Sequence, residues 1–124
     1  MAGFTNYGEN LVINTILRGS TNLYVGLLLA DPTEAGNYTN EIKAPSYSRK
    51  LVNFIEPSTG ETYNDDDITF DTASENWGWV THIGIFDSLT NGNMITYAAL
   101  DFKKEIRAAD IYKIPRGFFL FDLD

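Results

Sequence analysis

Apolar positions recur at three- and four-residue spacing near the start of the chain and at two-residue spacing almost everywhere else. That change of period predicts one helix followed by strands. Tyr7, Leu11, Val12, Ile13, Ile16 and Leu17 form the helical set, with Asn14 and Thr15 toward water. Thr5 or Asn6 caps the segment, and Glu9, three residues after Asn6, resembles the second half of a capping box. Arg18 suits the negative end of the helix dipole and Gly19 supplies a stop.

Beyond Gly19 the period is two. Leu23, Val25, Leu27 and Leu29 share one face of an extended segment whose other face carries Tyr24, Gly26, Leu28 and Ala30, so the strand reads as covered on both sides. Asp31-Pro32 ends it, and Asp31 to Ser48 reads as a long loop of the kind that is often functional. Arg49 to Ile55 reads as a strand, Pro57 to Asp67 as a second polar loop, Ile68 to Phe70 as a short strand and Asp71 to Asn76 as a turn.

The strongest alternation in the chain follows, with Trp77, Trp79, Thr81, Ile83 and Ile85 against Gly78, Val80, His82, Gly84 and Phe86. Asn91-Gly92 then predicts a hairpin turn into Met94 to Leu100. Phe102 to Arg107, Ile111 to Ile114 and Phe118 to Leu123 read as three further strands, the last two joined by Pro115-Arg116-Gly117. Strands at this spacing, without intervening helices, predict a mainly β chain. The expected architecture is an antiparallel β-sandwich with one N-terminal α-helix, a single domain over 1–124 with the helix at about 5–18 and the sandwich at about 22–124. Its expected core draws on Leu23, Val25, Leu27, Leu29, Trp79, Ile83, Ile85, Tyr97, Phe119 and Phe121.

Composition narrows the function. With 124 residues, 44% of them apolar, the chain can bury a core without disulfides, and with no cysteine it offers neither thiol catalysis nor thiolate metal sites. Its apolar runs are far shorter than a bilayer span, and no basic segment leads into an apolar stretch at the start, so a soluble, unprocessed product without a membrane partner is expected. Nine cations against 17 acids leave a net charge of −8, which makes nucleic acid an unfavourable partner. The charge is also uneven, because Leu51 to Phe102 holds no Lys or Arg whereas Lys103, Lys104, Arg107, Lys113 and Arg116 crowd the end.

Catalytic chemistry finds little support. The one histidine, His82, has no nucleophile motif beside it, and its neighbours Gly78 and Gly84 suggest close approach of another group to that face. Asp65-Asp66-Asp67 invites a calcium reading, but the sixth and twelfth positions counted from Asp65 are Phe70 and Asn76 rather than Gly and Glu. No glycine pattern suits a phosphate. The expectation is therefore no catalytic, metal or cofactor site. Tyr38, Tyr47 and Tyr63, in the two loops, are the interface candidates, each equally able to fold back over the core. Lys103, Lys104 and Arg107 join them, as a basic face that can meet the acidic stretch from Glu56 to Glu75 on a neighbouring copy.

These segments carry a resemblance. The opening Met1-Ala2-Gly3-Phe4-Thr5-Asn6-Tyr7 with Glu9-Asn10, Leu23-Tyr24-Val25-Gly26-Leu27, Ala30-Asp31-Pro32-Thr33-Glu34 and Tyr47-Ser48-Arg49 are part of it. Asp67-Ile68-Thr69-Phe70, Trp77-Gly78, Val80 to Asp87 and Gly92-Asn93 complete it. In order they resemble a family of short tailed-bacteriophage virion proteins labelled tail-fibre-like. The resemblance implies a non-enzymatic particle component, without cofactor, located in the virion and assembled in the host cytoplasm. A chain with mass for one domain suits a decoration or cement module on the head, or a tail adaptor, better than a long fibre. Other virion subunits and further copies of itself, three in a ring by preference, are the expected partners. The alternative is a small carbohydrate-binding or carbohydrate-cleaving domain that uses the loop carboxylates.

Overall fold

The computed structural model describes residues 2–123; Met1, which opens the resemblance, and Asp124, the last residue of the expected sandwich, lie outside them. Helix α1 (Asn6–Ile16) precedes eight strands: β1 (Leu23–Leu28), β2 (Lys50–Val52), β3 (Glu61–Tyr63), β4 (Ile68–Thr69), β5 (Gly78–Phe86), β6 (Met94–Ile106), β7 (Lys113–Ile114) and β8 (Leu120–Asp122). The chain is mainly β with one N-terminal helix, and every strand pairing is antiparallel. One sheet has four strands in the order β2-β1-β5-β6, and two-stranded ribbons β3-β8 and β4-β7 accompany it.

Thr5 caps α1, its side chain accepting the Gly8 amide at 3.1 Å. Glu9 does not close the expected capping box. It is 3% exposed and turned toward Gly60, whose missing side chain leaves the room it occupies. Asn10 reinforces this dock by accepting the Gly60 amide at 2.9 Å, while Ile13 is buried and Leu17 packs on the core.

The core lies on one face of the four-stranded sheet. Leu23, Val25 and Leu27 of β1, Ile83 and Ile85 of β5 and Val52 of β2 meet Ile68 of β4, Ile114 of β7 and Phe119, with Phe54, Phe70 and Trp77 filling between. Asn64, fully buried, ties the ribbons together: its amide donates to the Asp66 and Pro115 carbonyls and its oxygen accepts the Phe119 amide at 2.8 Å. A buried amide side chain with these partners acts as a polar staple rather than a cost.

Three expected core residues are not in it. Leu29 is 37% exposed because β1 ends at Leu28, and Trp79 and Tyr97 are 48% and 36% exposed. The outward turn of Trp79 on β5 has a specific cause. Gly78 takes φ +101°, and the alternation then slips, so that Trp77 and Val80 are buried together with Ile83 and Ile85. Val80 pairs with Lys104 and His82 with Ala99, so Thr81 alone stands opposite Leu100, Asp101, Phe102 and Lys103. This bulge divides β6 into the two arms expected as separate strands, Met94 to Leu100 and Phe102 to Arg107. Within the expected loop from Pro57 to Asp67 the structure adds β3, which pairs with β8.

The assignment of faces is checked by truncation. Ile83→Ala, at a fully buried position, is expected to lower the unfolding free energy by about 2–5 kcal/mol, and Trp79→Ala by well under half of that, both read by denaturant titration.

Candidate functional site

The long loop after β1 folds back over the second face of the sheet, and a buried arginine holds it there. Arg49, just before β2, is 5% exposed. Its Nε and Nη2 donate to Glu41 Oε2 and Oε1, each at 2.8 Å, and its Nη1 donates to the carbonyls of Ser88 and Asn91 at 2.8 and 2.7 Å. The guanidinium carbon lies 3.6 Å from the centre of the Phe86 ring and 5.4 Å from that of Tyr38. One side chain thus joins the long loop, the end of β5 and the β5–β6 turn. Burial works against the Arg49 charge, but the hydrogen bonds and charge of Glu41 outweigh it and hold the proton more tightly than in free arginine.

Tyr47 and Tyr38 belong to this cluster. The Tyr47 hydroxyl donates to Glu41 Oε2 at 2.5 Å and accepts the Leu27 amide at 2.9 Å, which fills the ladder between the β1–β2 pairing and the bridge from Leu28 to Glu41. Burial first, and the neighbouring carboxylate second, push its phenol far above the ordinary range. Gly26 is required beneath it, since a Cβ there would lie 2.7 Å from both Glu41 Oε2 and the Phe86 ring. Tyr38 packs edge-on against Phe86 at 5.2 Å and donates to the Gly92 carbonyl at 2.9 Å. Asn91 and Gly92 both take positive φ, 54° and 71°, as the hairpin expectation required. Above the cluster lies an open basin of about 490 Å³ bordered by Asn37, Tyr38, Thr39, Lys43 and Asn91.

A second anchor fixes the far end of the loop. Ser46 donates to Glu75 Oε1 at 2.5 Å and accepts the Trp77 indole at 3.0 Å, and Ser74 donates to Glu75 Oε2. The hydroxyls of Ser46 and then Ser74 hold the Glu75 carboxyl below the usual range.

The other sequence candidates lie elsewhere. Tyr63 is half-buried on β3 with the Arg116 guanidinium 5.2 Å from its ring centre. Lys103, Lys104 and Arg107 are exposed on and just beyond β6, where Lys103 sits 4.9 Å from the Trp79 ring centre and Arg107 pairs with Glu105 at 2.7 Å. Much of the acidic stretch is matched within the chain. Asp71 pairs with Lys50 at 2.9 Å, Asp67 with Lys113 at 3.0 Å, and Asp65 approaches Arg116 at 3.9 Å. The Arg116 backbone amide, followed by Lys113, lowers the Asp67 carboxyl. Glu41 and Arg49 were missed as functional residues. Arg49 opens the expected strand beside a second cation, Lys50, and nothing adjacent marks it as the one to be buried.

His82 lies near Asp31 at 3.9 Å and hydrogen-bonds Thr81 through Nδ1 at 2.8 Å. The room it shares with Gly84 is taken by Phe86 and Met94. Among the described residues no helix is long and apolar enough to cross a membrane.

Residues 3–119 match the family model of the podophage GP4 fiber I protein gp80. The chain belongs to that family. No curated protein matches it. A podophage fibre protein is a component of the virion, and the match runs through every element from α1 to β7, so the cluster around Arg49 is part of the family domain rather than an appendage.

Two measurements check the site. Arg49→Ala, which strands the Glu41 carboxylate, is expected to cost about 3–5 kcal/mol in stability, and combining it with Glu41→Gln to recover part of the loss; equal losses in both would deny the pairing. The pH response follows from Asp67 and Glu75. Their folded pKa values are depressed, so the unfolded chain binds more protons in the acid range. The stability they give is full above the ordinary carboxylate range of about 4 and is lost as pH falls through the folded values. Thermal midpoints between pH 6 and 2 should show this decline, and Glu75→Gln should flatten it.

Proposed function

We propose that this podophage fibre protein is a non-enzymatic structural module that self-associates and docks on the particle, as a small tail-fibre-like unit or as a decoration of the head. The family match over residues 3–119 carries this reading. In this reading the chain acts as a single domain without cofactor or metal.

Several of the loop carboxylates that the carbohydrate alternative would use are engaged within the chain. Both oxygens of Glu41 are held by Arg49 and Tyr47, Glu75 is held by two serines, and Asp65, Asp67 and Asp71 face cations of the same chain. The same pairings weaken the head-to-tail ring expected from charge asymmetry. Glu56, Glu61 and Asp66 are what the stretch still offers to Lys103, Lys104 and Arg107 of a neighbour, so the preferred trimer rests on these.

Docking is assigned to the outer rim of the two loops, where Tyr38 is half-buried between exposed Asn37 and Thr39 and Tyr63 is half-buried between the buried Thr62 and Asn64; Tyr47 acts from below as a support. Exposed apolar residues on and just before α1, Tyr7 and Leu11 on the helix and Phe4 ahead of its cap, extend the surface available to other subunits. The test is copy number by quantitative mass spectrometry of purified virions, paired with amide exchange of free and particle-bound protein. Many copies per particle and slowed exchange in residues 31–48 or 57–67 are expected. Absence from purified virions would overturn the structural role, and equal exchange in both loops would overturn docking through them.

A further inference from the structure

The bulge of β6 has the make-up of a self-complementary contact. β6 is an edge strand with β5 on one side and, among the described residues, no strand on the other. At its middle Phe102 is 88% exposed, the most exposed of the large apolar side chains described. A phenyl ring this exposed leaves its apolar area in water, and among the described residues none covers it. Asp101 stands before it and Lys103 after it. Neither has an ion-pair partner among the described residues, and Lys103 is placed by the Trp79 ring beneath it.

The order acid, aromatic, base is its own complement when read backwards with charges exchanged. Two copies of the segment, brought together antiparallel about Phe102, place each Asp101 opposite the other's Lys103 and the two phenyl rings opposite one another. In the same register Leu100 faces the stem of Lys104, and no like charges are opposed. A bulge carrying charges also keeps an edge strand from pairing at random, so the contact is selective rather than sticky: it admits a partner with the same segment in the opposite direction. We propose that Asp101, Phe102 and Lys103 form a two-fold contact between two copies of this chain. This deepens the self-association in the function proposed above and rests on it, but it names a different contact from a head-to-tail ring, because a two-fold joins the same patch on both copies.

The experiment is a charge swap on the full chain. Asp101→Lys opposes two pairs of lysines, Lys103→Asp opposes two pairs of aspartates, and the double exchange restores complementarity with the signs reversed. All three changes are at exposed positions of a bulge, and circular dichroism of each variant confirms folding. Sedimentation equilibrium at low and moderate salt should show a dimer for the parent chain, a dissociation constant raised about tenfold or more in each single variant, and recovery to within about threefold in the double variant. The differences should narrow as salt rises. Phe102→Ser should weaken the dimer at both salt concentrations alike.

A self-associated species whose mass and affinity are the same in all four variants would overturn this contact and leave self-association standing. A parent chain that is monomeric at every concentration and absent from virions would overturn both.

Discussion

Arg49 cannot be buried alone. Removing a guanidinium from water is so unfavourable that the fold around it must supply a carboxylate and further acceptors, and it supplies both oxygens of Glu41, two carbonyls of the β5–β6 turn and the face of Phe86. These partners lie in the long loop, at the end of β5 and in the β5–β6 turn. Satisfying one side chain therefore fixes the long loop, the end of the central strand and the hairpin turn relative to one another. Tyr47 depends on the same carboxylate, and through the Leu27 amide it closes the ladder where β2 stops short. The glycine at position 26 is the room this arrangement needs.

The other face of the sheet is held differently. There the driving force is apolar burial among Leu23, Val25, Leu27, Ile83, Ile85 and the residues of the two ribbons, with Asn64 as the polar staple that orders turns too short to order themselves. Apolar burial thus carries the core, directional hydrogen bonds hold the long loop, and Tyr47 belongs to both, since its ring packs on Phe70 and Trp77. A surface meant to dock needs its loops in one geometry before it meets a partner.

How much of this was legible in the sequence depends on how local the cause was. The helix, its Thr5 cap, β1, the Asn91-Gly92 turn and the two arms of β6 follow from period and turn chemistry within a few residues, and the structure has them. The exposed position of Trp79 does not, because it depends on the slip at Thr81, which in turn depends on extra residues in a strand twenty positions later. β3 was invisible for a related reason: three residues with one buried threonine carry no period, and the strand exists through β8 at the far end of the chain. The site was less legible than the fold. Tyr38 and Tyr47 stand out as loop aromatics, yet their organiser, Arg49, reads only as the first residue of a strand, since burial of an arginine is decided by partners at positions 41, 88 and 91 and by nothing adjacent to it.

The central claim is that Arg49 makes the long loop and the β5–β6 turn one rigid surface. Native-state amide exchange of the parent chain and of Arg49→Lys, which keeps the charge but loses the fork, tests it most directly. Residues 38–49 and 87–93 are expected to lose protection together in the variant while Val25, Leu27 and Ile85 keep theirs. Loss of protection in one loop with the other unchanged, or in neither, would contradict it.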